Sequence, residues 1–303
     1  MSKIRYSRWR VITAAIVATV SLAACGGGTD TADTTVAPES ALKIVSLSPT
    51  ATEMLYAIGA GDQVVAVDSL STYPAEVSSK VTKISAYEPS VEAILAYDPD
   101  VVLISNEMNK ITEQLESISS RKITVWTGAA AASIDDVYKQ INELGELTGR
   151  SSEATALVAD MTKRIDAAVP DVAPTDASSV YYELDNTYYS VTSNTFVGAL
   201  LKQFGMVSIA DGVEEGNDYP QLSAEAIVKA DPSIIFLADT KCCQQSAATV
   251  KARAGWSGIS AVQNDNIIEL DDDIASRWGP RIVDLIEQFG AAHTAMLKKN
   301  AAK

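Results

Sequence analysis

Residues 91–104 read VEAILAYDPDVVLI, and residues 224–237 read AEAIVKADPSIIFL. The two stretches align without a gap. Glu, Ala, Ile, Asp and Pro are identical, and most other positions are apolar in both. Each is preceded by a serine, Ser90 or Ser223, placed as a helix N-cap. Each contains an Asp-Pro, at 98–99 or 231–232, that stops the helix before a short buried strand, because proline disfavours helical geometry in the residue ahead of it. A helix–turn–strand unit repeated in one register predicts two similar halves.

Outward from these units the chain alternates strands and helices. Residues 43–47 predict a strand, and residues 51–58 predict a helix that ends at Gly59 and Gly61. Thr50 and Glu53 have capping-box spacing, with Pro49 just before them. Strands are expected over 63–67, 101–105 and 123–126. Residues 151–169 differ, since Ala154, Leu157, Val158, Met161, Ile165 and Ala168 follow helical spacing with no strand interleaved, and Pro170 closes the run. Strand and helix then alternate again through residues 180–184, 195–204, 207–210, 234–237 and 267–270. Such alternation implies βα units and mostly parallel sheets. The predicted fold is therefore α/β, with two Rossmann-like lobes (42–150 and 171–303) joined by one long backbone helix (151–170).

The N-terminus reads as an export signal. Lys3, Arg5, Arg8 and Arg10 precede an uncharged run over residues 11–24, too short to span a bilayer, which needs about 20 apolar residues. Its length and flanks fit a secretory h-region. Leu22-Ala23-Ala24-Cys25 resembles a bacterial lipobox, so residues 1–24 are expected to be a lipoprotein signal peptide and Cys25 the lipidated residue. Residues 25–41, rich in Gly, Thr, Ala and Asp, have little to bury and are expected to form a flexible tether.

Composition excludes several functions. The chain carries a net charge of −15, and removal of residues 1–24, with four basic residues and no acidic one, takes it to −19. That argues against nucleic acid as a partner, whose phosphates demand clustered Lys and Arg, and it leaves membrane attachment to the lipid anchor. A single histidine, His293, lies far from any motif, on a C-terminal amphipathic helix beginning near Ile282. A Ser-His-Asp system would need that histidine, so no catalytic residue is assigned. Nor can one histidine build the imidazole-rich cage of a bare-metal receptor, so no metal site or cofactor is assigned. Asp271, Asp272 and Asp273 are expected to form a solvated turn. Cys242 and Cys243 are adjacent, and the sequence leaves a vicinal disulfide and two inert loop thiols equally open.

Several phrases together resemble the class III, helix-linked periplasmic binding proteins, which include receptors for vitamin B12, ferric siderophores and haem. They are Val45-Ser46-Leu47-Ser48-Pro49-Thr50-Ala51-Thr52-Glu53, Tyr73-Pro74, Tyr87-Glu88-Pro89-Ser90-Val91-Glu92, Asp98-Pro99-Asp100-Val101-Val102, Leu222-Ser223-Ala224-Glu225 and Arg277-Trp278-Gly279-Pro280-Arg281. The likeness covers residues 42–298 and is nearest to the B12 receptors. It implies a shallow cleft between two lobes, small lobe movement on binding, and delivery of a cobalamin-type corrinoid to the dimeric permease of an ABC importer. A ferric-siderophore or haem receptor is the alternative within the family; a surface sensor or an enzyme on the same fold is the alternative outside it. The resemblance also implies that Glu92 and Glu225, one on each lobe, dock onto the permease.

Eleven tyrosines against four phenylalanines suit a cleft for a large planar ligand, since the phenol ring offers both apolar contact and a hydroxyl. Tyr73, Tyr87, Trp126, Tyr188, Tyr219 and Trp278 lie in loops or at strand ends, where parallel sheets bind their ligands. Arg277 is expected to pair with an anionic group of the ligand or with the Asp271–Asp273 run.

Overall fold

The strands are short and apolar, and they need cover on both faces. In a computed structural model, which describes residues 42–106, 110–118, 122–170 and 177–302, they form two four-stranded parallel sheets. The export signal, the tether and Cys25 lie outside the described residues.

The first half runs β1 (Ile44–Leu47), α1 (Pro49–Ala57), β2 (Val64–Val67), α2 (Val91–Leu95), β3 (Val101–Ile104), α3 (Ile111–Ile118), β4 (Thr124–Thr127) and α4 (Ile134–Thr148). Helix α5 (Ser151–Ala168) follows. The second half runs β5 (Ser178–Glu183), α6 (Phe196–Lys202), β6 (Met206–Ser208), α7 (Ala224–Ala230), β7 (Ile234–Leu237), α8 (Ala247–Lys251), α9 (Ser260–Gln263), β8 (Ile267–Glu269), α10 (Asp272–Ala275) and α11 (Ile282–Ala301). The sheet orders are β2-β1-β3-β4 and β6-β5-β7-β8, one arrangement used twice. The repeated units occupy matching places, with α2 leading to β3 and α7 to β7. Ser90 and Ser223 cap them by accepting from Ala93 N and Ala226 N. Both Asp98 and Asp231 take left-handed backbone, at φ 49° and 48°, which breaks the helical hydrogen-bond run just before each proline.

Helix α5 spans about 27 Å at 1.5 Å per residue. It packs closely on α4, where a Cβ added to Gly145 would lie 2.5 Å from the Ala154 Cβ. Arg164 on α5 pairs with Asp284 (2.7 Å) and Glu287 (2.8 Å) on α11. One apolar core runs through α1, α4, α5 and α11 and takes in residues of both sheets, such as Leu103 and Phe236. The opposite face of each sheet has its own smaller core. A shared core resists hinging, because packed interiors do not deform continuously. His293 is part of this packing: it is buried, its Nε2 has no partner among the described residues, and burial lowers its pKa.

Candidate ligand cleft

In parallel α/β sheets, ligands meet the carboxyl ends of the strands. On the N-terminal side β1 runs into Ser48, whose Oγ accepts from Ala51 N at 3.3 Å, with Pro49 in the first turn. The cap is therefore Ser48 and not Thr50, and the capping-box reading of Glu53 is corrected. The earlier start turns Thr52 and Glu53 inward, and both are buried. A chain of hydroxyls follows. Ser105 donates to Ser48 Oγ (2.9 Å), Thr52 donates to Ser46 Oγ (2.9 Å) and lies 3.1 Å from Ser71 Oγ, and Ser71 donates to Asp68 Oδ2 (2.9 Å). Asp68 Oδ1 also accepts from Leu70 N (2.6 Å) and Ser71 N (3.0 Å). Burial raises the Asp68 pKa, and these donors oppose the rise.

The segment 277–281 reaches across from the other half. Arg277 donates to Glu53 Oε1 (2.8 Å), Asp273 Oδ1 (2.8 Å) and the Leu70 carbonyl (3.2 Å). Arg281 donates to both Glu53 oxygens, at 2.9 and 2.5 Å, and its guanidinium lies 3.9 Å from the centre of the Tyr73 ring. Trp278 Nε1 donates to Gln140 Oε1 at 3.2 Å. A Cβ at Gly279 would sit tightly against Glu53 Oε2, at 3.3 Å. One buried carboxylate from the first half thus holds two arginines from the second.

On the C-terminal side the strand ends carry charge. Glu183 closes β5, fully buried, and takes both terminal nitrogens of Arg253 at 2.6 and 2.5 Å. Arg253 lies over Trp256 (4.5 Å) and Tyr188 (5.4 Å). Asp239, just past β7, is fully buried; no donor reaches its carboxylate oxygens among the described residues, and the carboxyl it meets is that of Glu183. Burial, reinforced by the neighbouring Glu183 carboxylate, pushes its pKa up to about 7. A proton on Asp239 would make it a donor where an ionised carboxylate has nothing to accept. The Asp271–Asp273 run is not the solvated turn expected. Asp271 caps α10, Asp272 accepts from Thr240, Lys241 and Cys242, and Asp273 pairs with Lys241 and Arg277. Consecutive acids can stand together here because each has its own donors.

A hollow of about 210 Å³ brings together Tyr219, Arg277 and Trp278, with Ala130, Ala131 and Phe196 among its other walls. A second, of about 310 Å³, is lined by Tyr73 with Glu53, Tyr56 and Arg281. The Arg277–Glu53 ion pair joins them. Three predicted residues stand apart from these hollows. Tyr87 is 66% exposed in the loop before α2. Trp126 lies on β4 and donates to Glu143 at 3.2 Å. Tyr188 packs on Trp256 with ring centres 5.8 Å apart. Glu92 and Glu225 are exposed in the first turns of α2 and α7. Reading the sequence missed Glu53, Gln140, Glu183, Asp239, Arg253 and Arg281. The one available signal was Glu183, a charged residue ending the strand Ser178–Glu183.

Residues 44–274 match the sequence profile of the family described as "Periplasmic binding protein". The chain belongs to that family. It is a binding protein, not an enzyme, and the two helix-linked parallel sheets are the family's class III form. Among its relatives, the uncharacterized ABC transporter substrate-binding lipoprotein YvrC of Bacillus subtilis (strain 168) is 33% identical over 253 residues, 82% of this chain and 78% of that protein. A cobalamin-binding protein of Halobacterium salinarum is 33% identical over 258 residues, 82% of this chain and 69% of that protein. The periplasmic heme-binding protein RhuT from Roseiflexus sp. RS-1 shares the fold of this periplasmic binding protein, with a TM-score of 0.71 and 24% identity across 84% of this chain and 99% of that one. Among the described residues no helix is long and apolar enough to cross a membrane.

Proposed function

We propose that this protein is the extracytoplasmic receptor of an ABC importer, that it takes a cobalamin-type corrinoid between its lobes, and that it hands the ligand to a dimeric permease. The observation that carries the ligand class is the 33% identity to a cobalamin-binding protein over 82% of the chain. The cleft chemistry is compatible. Tyr73, Tyr219 and Trp278 offer aromatic surface on both sides of the Arg277–Glu53 pair, which suits a large planar molecule. Haem or a ferric siderophore is the second reading, and the fold shared with a haem receptor favours it. Cys25 is the proposed lipid anchor, on the strength of the Leu22-Ala23-Ala24-Cys25 motif.

Calorimetry on the mature protein with cobalamin, haem and a ferric siderophore tests the ligand. Cobalamin is expected to bind, and Trp278→Ala or Tyr219→Ala to weaken it by about 1–3 kcal/mol, roughly 5- to 150-fold. Binding of haem alone would transfer the assignment to the second reading, and failure of all three would end it. Glu92 and Glu225 are the proposed docking residues, because a pair of exposed carboxylates at matching places can orient a two-subunit partner. Glu92→Ala with Glu225→Ala is expected to abolish most uptake while ligand affinity is unchanged. Normal uptake at normal abundance would remove the docking role.

A further inference from the structure

Cys242 and Cys243 follow β7 on the carboxyl side of the second sheet, and ligand capture and docking leave them without a task. Their setting is built. The two thiols are adjacent in the chain, and the Cys243 thiol is among the groups that raise the Cys242 pKa. The surrounding backbone is held by groups other than sulfur. Cys242 N donates to Asp272 at 2.9 Å, and Cys243 N and Gln245 N donate to the Asp239 carbonyl at 3.2 and 3.3 Å. Gln244 turns the chain at φ 55°. Cys242 is exposed and Cys243 half-buried, so a small oxidant can reach the pair.

We infer that Cys242 and Cys243 form a reversible redox site that closes to a vicinal disulfide by exchange with a small-molecule disulfide. The Cys242 thiolate attacks one sulfur of the reagent, and a mixed disulfide forms as the first small thiolate leaves. The Cys243 thiolate then attacks Cys242 Sγ and expels the second. The protein loses two electrons and two protons, and the reagent gains them as two thiols. Adjacent Cα atoms stand about 3.8 Å apart across a trans peptide, below the usual span of about 4.4–6.8 Å for a disulfide, so the ring is strained and readily reduced. Desolvation at the sulfur itself, with the neighbouring Cys243 thiol and the charges of Asp272 and Asp239, raises the Cys242 pKa even though the residue is exposed. Thiolate is therefore scarce, and exchange is slow at neutral pH and faster in base. The peptide inside the ring is the one between the two cysteines, whose N–H, that of Cys243, donates to the Asp239 carbonyl at 3.2 Å.

The test uses the full chain. Trypsin cuts after Lys241 and Lys251 and releases residues 242–251, which contain both thiols and no other cysteine. The protein is equilibrated at graded ratios of oxidised to reduced glutathione, quenched in acid, alkylated in denaturant and digested. Under oxidising ratios this peptide is expected to escape alkylation and weigh two hydrogens less than the dithiol, and dithiothreitol should restore two alkylated sites. Cys243→Ser should stop at the glutathione adduct. A doubly alkylated wild-type peptide at every ratio, a persistent wild-type glutathione adduct, or a cross-link to another cysteine overturns the proposal.

Discussion

The two halves use one strand order and fill their carboxyl ends differently. In the first, hydroxyls dominate: Ser105 donates to the Ser48 hydroxyl, Ser46 donates to the Ser48 carbonyl, and Ser46, Thr52 and Ser71 lead on to Asp68, whose carboxylate accepts three hydrogen bonds. In the second, the same places hold charges: Glu183 on Arg253, and Asp239 set against Glu183 with no donor to it among the described residues. The buried glutamates differ as well. Glu183 is answered from within its own half, whereas Glu53 is answered by Arg277 and Arg281 from the other. A shared topology thus leaves the electrostatics of each lobe free to diverge. The first half is completed only when the second is in place.

The largest effect should come from breaking that cross-lobe answer. Glu53→Ala takes the shared carboxylate from two largely buried guanidinium groups, of which Arg277 keeps Asp273 and the Leu70 carbonyl, and removing one partner of a buried pair costs about 3–5 kcal/mol. Urea denaturation should show this loss. Glu53→Gln, which keeps an acceptor, should lose less. Equal losses would mean that the charge of Glu53 is irrelevant and that its packing alone matters.

The two buried aspartates sharpen the contrast, because their amide variants should move stability in opposite directions. Asp68→Asn discards charge-assisted acceptance from Leu70 and Ser71 and should cost about 1–3 kcal/mol. Asp239→Asn removes an unmatched carboxylate and should stabilise by a similar amount at pH 8. The sign with pH is fixed by linkage. The folded pKa of Asp239 is raised to about 7, against about 3.9 in an unfolded chain. The folded state therefore holds the proton more tightly, and the wild type loses stability as pH climbs between those values. The advantage of Asp239→Asn should grow from pH 4 to pH 7 and then level off. A difference independent of pH would mean that Asp239 is ionised throughout.

The fold was legible because its signals are local. The apolar strands, the Ser90 and Ser223 caps and the two Asp-Pro stops each lie within a few residues of the feature they determine. The cleft was less so. Glu53 was masked by a capping-box spacing that Ser48 pre-empts, and its partners stand 224 and 228 residues away. No short-range pattern announces such a pair. Arg277, Trp278 and Tyr73 were named from family-like phrases and Tyr219 from ring chemistry, and all four line the two hollows. The same chemistry also selected Tyr188, whose ring packs on Trp256 beneath a guanidinium inside its own lobe. Aromatic character alone does not separate a ligand wall from a core contact.

The smallest effects belong to the repeated glutamates, and smallness is what the docking role proposed for them requires. Glu92 and Glu225 are exposed, and each sits two residues after its capping serine, where the helix dipole favours an acid by about 0.3–1 kcal/mol. The copies are not identical. Ser90 Oγ donates to Glu92 Oε2 at 3.1 Å while accepting from Ala93 N, so cap and acid support one another on the five-residue α2. Ser223 caps the seven-residue α7 by accepting from Ala226 N at 3.1 Å. Glu92→Ala should therefore fall near the upper end of that range and Glu225→Ala near the lower, as read by paired thermal melts. A loss well above about 1 kcal/mol at either site would make that glutamate a structural residue of its own lobe, and an uptake defect there could be attributed to misfolding. Losses inside the range leave both carboxylates available for a partner.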